Sequence, residues 1–206
     1  MKKSIFKVVI TTVAVISLSA AAHAQNGRFS LGLEAALPMG DFGDNAGTGF
    51  GASLRYEHPL ADKLGLTGTV GYITFGKKTV DLGPFGKYEY KNSMIPVQAG
   101  LKYYFQEAQE GFYVMAELGV HVFSAKVTVP SYTLLGTTIP ESSSTDSKTN
   151  LSYAPEIGYH LANLDFGVRY QLFSYETTVS NGLTTTSKTT TQGYLGIRAA
   201  YVFGSK

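Results

Sequence analysis

The chain has 206 residues, a formal net charge of +2 at neutral pH and no cysteine. The near balance of charge, without a clustered basic stretch, argues against nucleic-acid binding, and the lack of cysteine excludes disulfide bonds. Its 23 glycines, 14 tyrosines and 12 phenylalanines favour strands and turns over helices.

Residues 1–24 have the pattern of a secretory signal peptide. Three lysines flank the start of an apolar run, 8–18, and Ala22-His23-Ala24 fits the cleavage pattern, so we predict cleavage between Ala24 and Gln25. The run is shorter than the roughly 20 residues of a spanning helix. Removing three of the 17 basic residues leaves 14 against 15 acidic ones, a formal charge of −1. We predict one mature domain, residues 25–206.

Eight segments of about ten residues alternate apolar and polar side chains, as strands with one apolar face do. Long connections follow the first, third, fifth and seventh segments, and short ones follow the second, fourth and sixth. The long connections include predicted polar loops at 76–92, 127–150 and 177–190, of which the strand-like part 127–139 could extend the barrel above the membrane. A segment length of about ten residues suits a tilted strand that crosses a bilayer. In chain order the segments are 28–37, 48–57, 64–72, 95–105, 112–123, 151–161, 164–172 and 194–203.

The apolar faces of all eight segments contain no Asp, Glu, Lys or Arg. Alternation alone fits both a soluble lipocalin-type barrel and a membrane barrel with a polar lumen. The signal peptide, the alternating loop lengths and an aromatic girdle near one end favour lipid outside. The predicted girdle consists of Phe29, Tyr56, Phe105, Phe112, Tyr201 and Phe203.

The opposite faces carry five acids, four bases and two histidines, which we predict to form a charge network inside the lumen. We expect it to hold the interior together, with an ion-selectivity constriction as the alternative. The residues are Glu34, Arg55, Glu57, Lys102, Glu117, His121, Glu156, His160, Asp165, Arg169 and Arg198.

Two pairings follow from the strand order. A tight hairpin at Ala162-Asn163 would place His160 opposite Asp165 and Glu156 opposite Arg169, so we predict a Glu156–Arg169 salt bridge. Closure of the barrel would bring Arg198 of the last strand to Glu34 of the first. Pro155 lies within the sixth segment and predicts a bulge or distortion, since it cannot donate to a ladder.

Weaker hypotheses concern metal binding and catalysis. Glu117 and His121 on the fifth segment could approach the level of His160 and Glu156 on the sixth, which would suit a metal. His121 faces inward whereas Ser124 has the opposite parity, so they do not form a local catalytic dyad. We predict no catalytic residue, no metal and no cofactor.

With these residues in view, the chain resembles the small eight-stranded bacterial outer-membrane barrels of the OmpA transmembrane-domain, OmpX and OmpW type. In such barrels an aromatic end of the last strand is the signal for the barrel-insertion machinery, a role that the resemblance implies for Tyr201 and Phe203. The chain departs by adding Gly204-Ser205-Lys206, by lacking Trp and by placing Pro155 in a strand.

We therefore predict an all-β fold, an eight-stranded antiparallel up-and-down transmembrane β-barrel in the outer membrane. Its termini would be periplasmic and its long loops extracellular. The predicted role is structural or surface-interacting, with a lumen filled by side chains. The alternative is a narrow, porin-like channel or carrier for small solutes, as the OmpW resemblance allows. Expected partners are lipid, the insertion machinery and an extracellular molecule, without nucleic acid.

Overall fold

The computed structural model describes residues 27–81, 87–134, 137–180 and 185–204. Eight antiparallel strands form a closed ring, in which the last strand pairs with the first, so the predicted barrel is confirmed. The predicted signal peptide and its cleavage site lie outside the described residues. We number the strands β1 Arg28–Met39, β2 Gly49–Ala61, β3 Leu64–Phe75, β4 Lys87–Tyr104, β5 Gly111–Val129, β6 Ser142–Leu161, β7 Leu164–Ser180 and β8 Thr185–Phe203.

The two faces of each strand differ as the alternation predicts. Large apolar side chains cover the outside, where Leu33 is 73% exposed and Leu118 is 70% exposed. Charged and polar side chains are buried inside. No helix in the described part of the chain is long and apolar enough to span a bilayer.

One end of the barrel carries the three short turns, and we call it the short-turn end; the opposite end is the long-loop end. Aromatic side chains ring the short-turn end on the outside. Phe29 packs on Tyr56 with ring centroids 4.8 Å apart, and Tyr201 packs on Phe203 at the same distance. Phe112 packs on Tyr159 at 4.7 Å.

The strands are longer at the long-loop end than the sequence predicts. Pairing of β5 with β6 continues up to Val129 opposite Ser142, and pairing of β7 with β8 continues up to Ser180 opposite Thr185. The prediction of loops over most of 127–150 and 177–190 is therefore wrong. Cross-strand pairing continues beyond the apolar belt because threonine and valine, which favour extended backbone, are frequent there. Part of the predicted loop at 76–92 is also strand, including Lys78–Asp81.

The predicted hairpin register of β6 and β7 is confirmed, with His160 opposite Asp165 and Glu156 opposite Arg169. Pro155 does not produce a bulge, because the β5–β6 register is continuous. The β6–β7 ladder instead lacks two rungs beside Pro155 and resumes in the same register at Tyr153. There the Gln171 side-chain amide donates to the Tyr153 carbonyl at 3.2 Å, which satisfies an acceptor next to the gap.

Candidate functional site

The candidate site is the lumen, because it holds the buried ionisable side chains of the barrel. All eleven residues of the predicted charge network are buried there, at most 7% exposed. Sequence reasoning missed a twelfth, Arg28, which is 9% exposed. Its position at the very start of β1, with the same parity as Glu34, was the available signal.

Arg55 lies at the centre of the network. Its guanidinium binds Glu156 in a fork, Nη1 to Oε1 at 3.0 Å and Nη2 to Oε2 at 2.9 Å. Thr69 accepts from Arg55 Nε at 3.0 Å and donates to Glu117 at 2.6 Å. The Tyr113 hydroxyl donates to Glu156 at 2.9 Å. Because Arg55 is on β2 and Glu156 on β6, these bonds tie opposite walls of the barrel together.

Nearer the short-turn end, several basic side chains lie close to the Asp165 carboxylate. Lys102 Nζ lies 2.6 Å from Asp165 Oδ2 and 3.3 Å from Glu57 Oε2. Arg198 Nη1 lies 3.3 Å from Asp165 Oδ1, and His160 Nδ1 lies 3.5 Å from its other oxygen. Since every one of these side chains is buried, the pairs offset the cost of removing charge from water.

The connection between β4 and β5 closes the lumen at the short-turn end. A 3₁₀ turn at Glu107–Gln109 places the Gln109 side chain inside the barrel. Arg28 Nη2 donates to Gln109 Oε1 at 2.7 Å and contacts Glu57 at 3.0 Å. The Tyr104 hydroxyl donates to the same Glu57 at 2.8 Å. The short turn therefore contributes a side chain to the lumen, which the sequence pattern did not predict.

The predicted Glu156–Arg169 salt bridge is wrong, although the two residues are opposite each other. Glu156 pairs across the lumen with Arg55, and Arg169 pairs with Glu34. Long side chains in a closed barrel can reach partners on distant strands, so ladder neighbours need not bind each other. At the β1–β8 seam, Arg198 lies opposite Glu34 as predicted, with Nε 3.8 Å from Oε1.

The residues of the metal hypothesis are not brought together. His121 lies opposite Asn150, so the prediction that His121 is at the level of Glu156 along the barrel is wrong. Its ring stacks on Phe173, with centroids 5.9 Å apart. In the described part of the chain, no three His, Cys, Asp or Glu residues are grouped as metal ligands.

Ser124 and His121, which were considered for catalysis, also lie apart. The Ser124 hydroxyl is exposed and hydrogen-bonds the Ser147 hydroxyl at 2.8 Å, whereas His121 is fully buried in the lumen. Such an arrangement does not couple a nucleophile to a base.

The long-loop half of the lumen is closed by an apolar plug, which the sequence did not predict. The connection after β1 forms a short helix, α1 (Asp41–Asn45), and its Phe42 side chain points into the barrel. The Phe42 ring centroid lies 5.0 Å from that of Phe75, 5.5 Å from Phe173 and 6.0 Å from Phe123. The plug comprises Ala36, Phe42, Ala46, Ile73, Phe75, Met94, Phe123, Phe173 and Tyr194.

The Lys78 side chain holds α1 against the rim through the carbonyl oxygens of the helix. Lys78 Nζ donates to the carbonyl oxygens of Gly43 and Asp44, each at 3.0 Å. A cation at the C-terminal carbonyls of a helix satisfies acceptors that the helix leaves open. Gly40 has a φ of 57°, a conformation that favours glycine, and it turns the chain inward before the helix. The Gly/Asp-rich stretch thus directs Phe42 into the lumen.

Gly119, on the lumen face of β5, lies where the neighbouring strand approaches closely. A Cβ built on Gly119 would lie 2.6 Å from the Gln98 Cα and closer still to the Val97 carbonyl oxygen, whereas one on Gly68 has no atom within 4 Å. We therefore expect Gly119→Ala to destabilise the barrel by about 1–3 kcal/mol through overpacking. Gly68→Ala, in a strand of the same barrel, should not destabilise it. Urea unfolding of both variants in lipid vesicles measures the difference; equal stabilities would contradict the packing.

A family model described as "Outer membrane protein beta-barrel domain" matches residues 8–203. The chain belongs to this family. Family membership assigns the barrel to the bacterial outer membrane, so its apolar outer face contacts lipid. A comparison with curated proteins found no match.

Solved structures show the same fold. A major outer membrane protein from Thermus thermophilus is 16% identical, with 86% of this chain and 99% of that chain covered and a TM-score of 0.54. Ail, the attachment invasion locus protein of Yersinia pestis, solved in complex with the heparin analogue sucrose octasulfate, is 17% identical. There the alignment covers 86% of this chain and 97% of that chain, with a TM-score of 0.51.

Proposed function

We propose that this outer-membrane barrel is a non-conducting anchor that displays a polar β-structure outside the cell. The observation that carries the proposal is the filling of the lumen by two stacked layers, the charge network and the apolar plug. Eight-stranded barrels have an interior just wide enough for side chains, so two such layers leave little room for solute flow.

The displayed part is the set of strand extensions at the long-loop end, which we place on the extracellular side. On β6, residues 142–149 are all exposed, and they are mainly serine and threonine. A paired backbone there gives a rigid, hydrogen-bonding surface rather than a loose loop. That Ail has been crystallised with a sulfated sugar analogue supports a ligand-binding surface on a barrel of this fold.

The insertion machinery remains a proposed partner, through Tyr201 and Phe203. Phe203 is half exposed on the outer face and lies opposite Phe29 at the seam. An exposed aromatic end of the closing strand is accessible before the barrel closes, which suits such a signal.

Planar-bilayer recording of the refolded protein tests the proposal against the channel alternative. We expect no stepwise current, because the buried ion pairs and the plug occupy the lumen. A liposome-swelling assay with small neutral sugars should likewise show no uptake above empty vesicles. Reproducible conductance steps from the unmodified chain would support the narrow channel instead.

A further inference from the structure

The outer face of the β4–β5–β6 sheet changes character just above the apolar belt. Ile95 and Val122 lie opposite each other at the top of the belt. The next outward pair is Ser93 and Ser124, and the pair after that consists of two lysines, Lys91 and Lys126. Lys91 lies four residue steps from Ile95, about 13 Å along a strand and less along the membrane normal because strands tilt. The lysines therefore lie at the level of lipid headgroups.

Two lysines directly opposite on a sheet repel each other, so this pair is unfavourable without an anion. Both side chains are exposed, and neither forms an ion pair with a carboxylate in the described part of the chain. The nearest acid on the same face, Glu89, is bound by Lys77 at 2.8 Å. That hydrogen bond is the main cause that raises the pKa of Lys77. Glu141 also acts electrostatically on Lys77, so three lysines lie near two described glutamates, and both glutamates act on Lys77.

Serine hydroxyl groups lie next to Lys91 and Lys126, and together these side chains form what we call the lysine patch. Ser124 Oγ lies 2.8 Å from Ser147 Oγ on β6, one step below the lysines. Ser93 lies opposite Ser124 on the other side. Two ammonium groups above neighbouring hydroxyls match a phosphate group, which accepts several charge-assisted hydrogen bonds. Lysine stems are long enough to bring their charges down to such a group at the membrane surface.

We propose that Lys91 and Lys126, with Ser93 and Ser124 beneath them, bind a phosphate of a lipid in the outer leaflet. The site relies on the orientation proposed above, with the long-loop end outside, and it is independent of whether the lumen conducts. It would fix the barrel to the surrounding lipid on the side formed by β4 and β5. The ligand is a phosphorylated lipid headgroup rather than free phosphate, because the patch lies on the membrane-facing side of the sheet.

The test titrates refolded protein of residues 25–206, the predicted mature chain, in uncharged detergent, with micelles that contain diphosphorylated lipid A. Thermophoresis measures the affinity. We expect Lys91→Gln/Lys126→Gln to bind roughly 30-fold more weakly, from the contribution of two lysines near an anionic lipid surface. Lys91→Arg/Lys126→Arg should keep the affinity, since it keeps the charge. The matched control is Lys63→Gln, which removes a half-buried lysine at the short-turn end and should bind like the unmodified chain.

Removing the phosphates from lipid A should lower the affinity of the unmodified chain to that of the double Gln variant. Equal binding by the unmodified chain and that variant would overturn the proposal. An equal loss in Lys63→Gln would overturn it too, because it would show a general charge effect. Competition by inorganic phosphate at the same molar concentration would show a site for the free ion and not for a lipid.

Discussion

Replacing Arg55 with methionine is expected to lower the free energy of unfolding by about 3–5 kcal/mol, because removal of one partner leaves a buried charge uncompensated. Glu156 would lose both hydrogen bonds of the fork and, among the described residues, would keep Tyr113 as its donor. Glu117, whose Oε2 lies 3.7 Å from Arg55 Nη2, would also lose a cation. Urea titration of the refolded barrel in phospholipid vesicles measures the change.

A double-mutant cycle assigns this loss to the cross-lumen pair. Arg55→Met with Glu156→Gln should show a coupling of about 1–3 kcal/mol, as expected for residues in one network. The cycle of Arg169→Met with Glu156→Gln should show less, because Arg169 binds Glu34 instead. If the Arg169 cycle gave the larger coupling, the salt bridge between ladder neighbours would be right and the cross-lumen pairing would be wrong.

Replacing Phe42 with alanine is expected to lower the free energy of unfolding by about 3–5 kcal/mol, the usual effect of truncating a buried phenylalanine. The loss should be local, because Phe42 is the side chain of α1 that packs among Phe75, Phe123 and Phe173. We therefore expect α1 to detach from the rim while the strands stay paired. Hydrogen exchange should show faster exchange at residues 41–46 and unchanged protection in β5.

Asp44→Ala is the matched control for this change. Its side chain is exposed on the same helix, and the backbone carbonyl that Lys78 contacts is retained. It should leave both exchange and stability close to those of the unmodified chain. Unchanged exchange in Phe42→Ala would mean that the phenyl ring does not hold the helix in the barrel.

The sequence predicted the features that depend on the two-residue alternation of strands and on hairpin geometry. Alternation puts Arg55 and Glu156 on the charged face of their strands. The signal peptide, the alternating loop lengths and the aromatic girdle then favoured a barrel in which that face is the buried one. The two-residue turn at Ala162-Asn163 determined the β6–β7 register, which brought His160 opposite Asp165. The seam between Glu34 and Arg198 followed from closing the ring.

The partners across the lumen could not be predicted in the same way. Which side chains meet there depends on strand tilt and stagger, and sequence spacing within one hairpin carries no information on them. Arg55 and Glu156 are 101 positions apart on non-adjacent strands. The plug was missed for a different reason, because a single phenylalanine in a Gly/Asp-rich stretch has no periodicity that predicts burial.

The strand extensions at 142–150 and 177–190 were missed because their serine and threonine runs are typical of loops as well as of strands. Their pairing depends on the partner strand, which local composition does not specify. On the outer face, Lys91 and Lys126 lie on different strands, and only the β4–β5 register brings them together.

Single-channel recording of the unmodified barrel beside the Phe42→Ala variant tests the closed lumen most directly. We expect no current steps from either protein, because the charge network of the lumen remains in place when the plug is loosened. Conductance steps in the unmodified chain would contradict the closed lumen. Steps in Phe42→Ala alone would show that the plug closes the barrel and that the charge network does not.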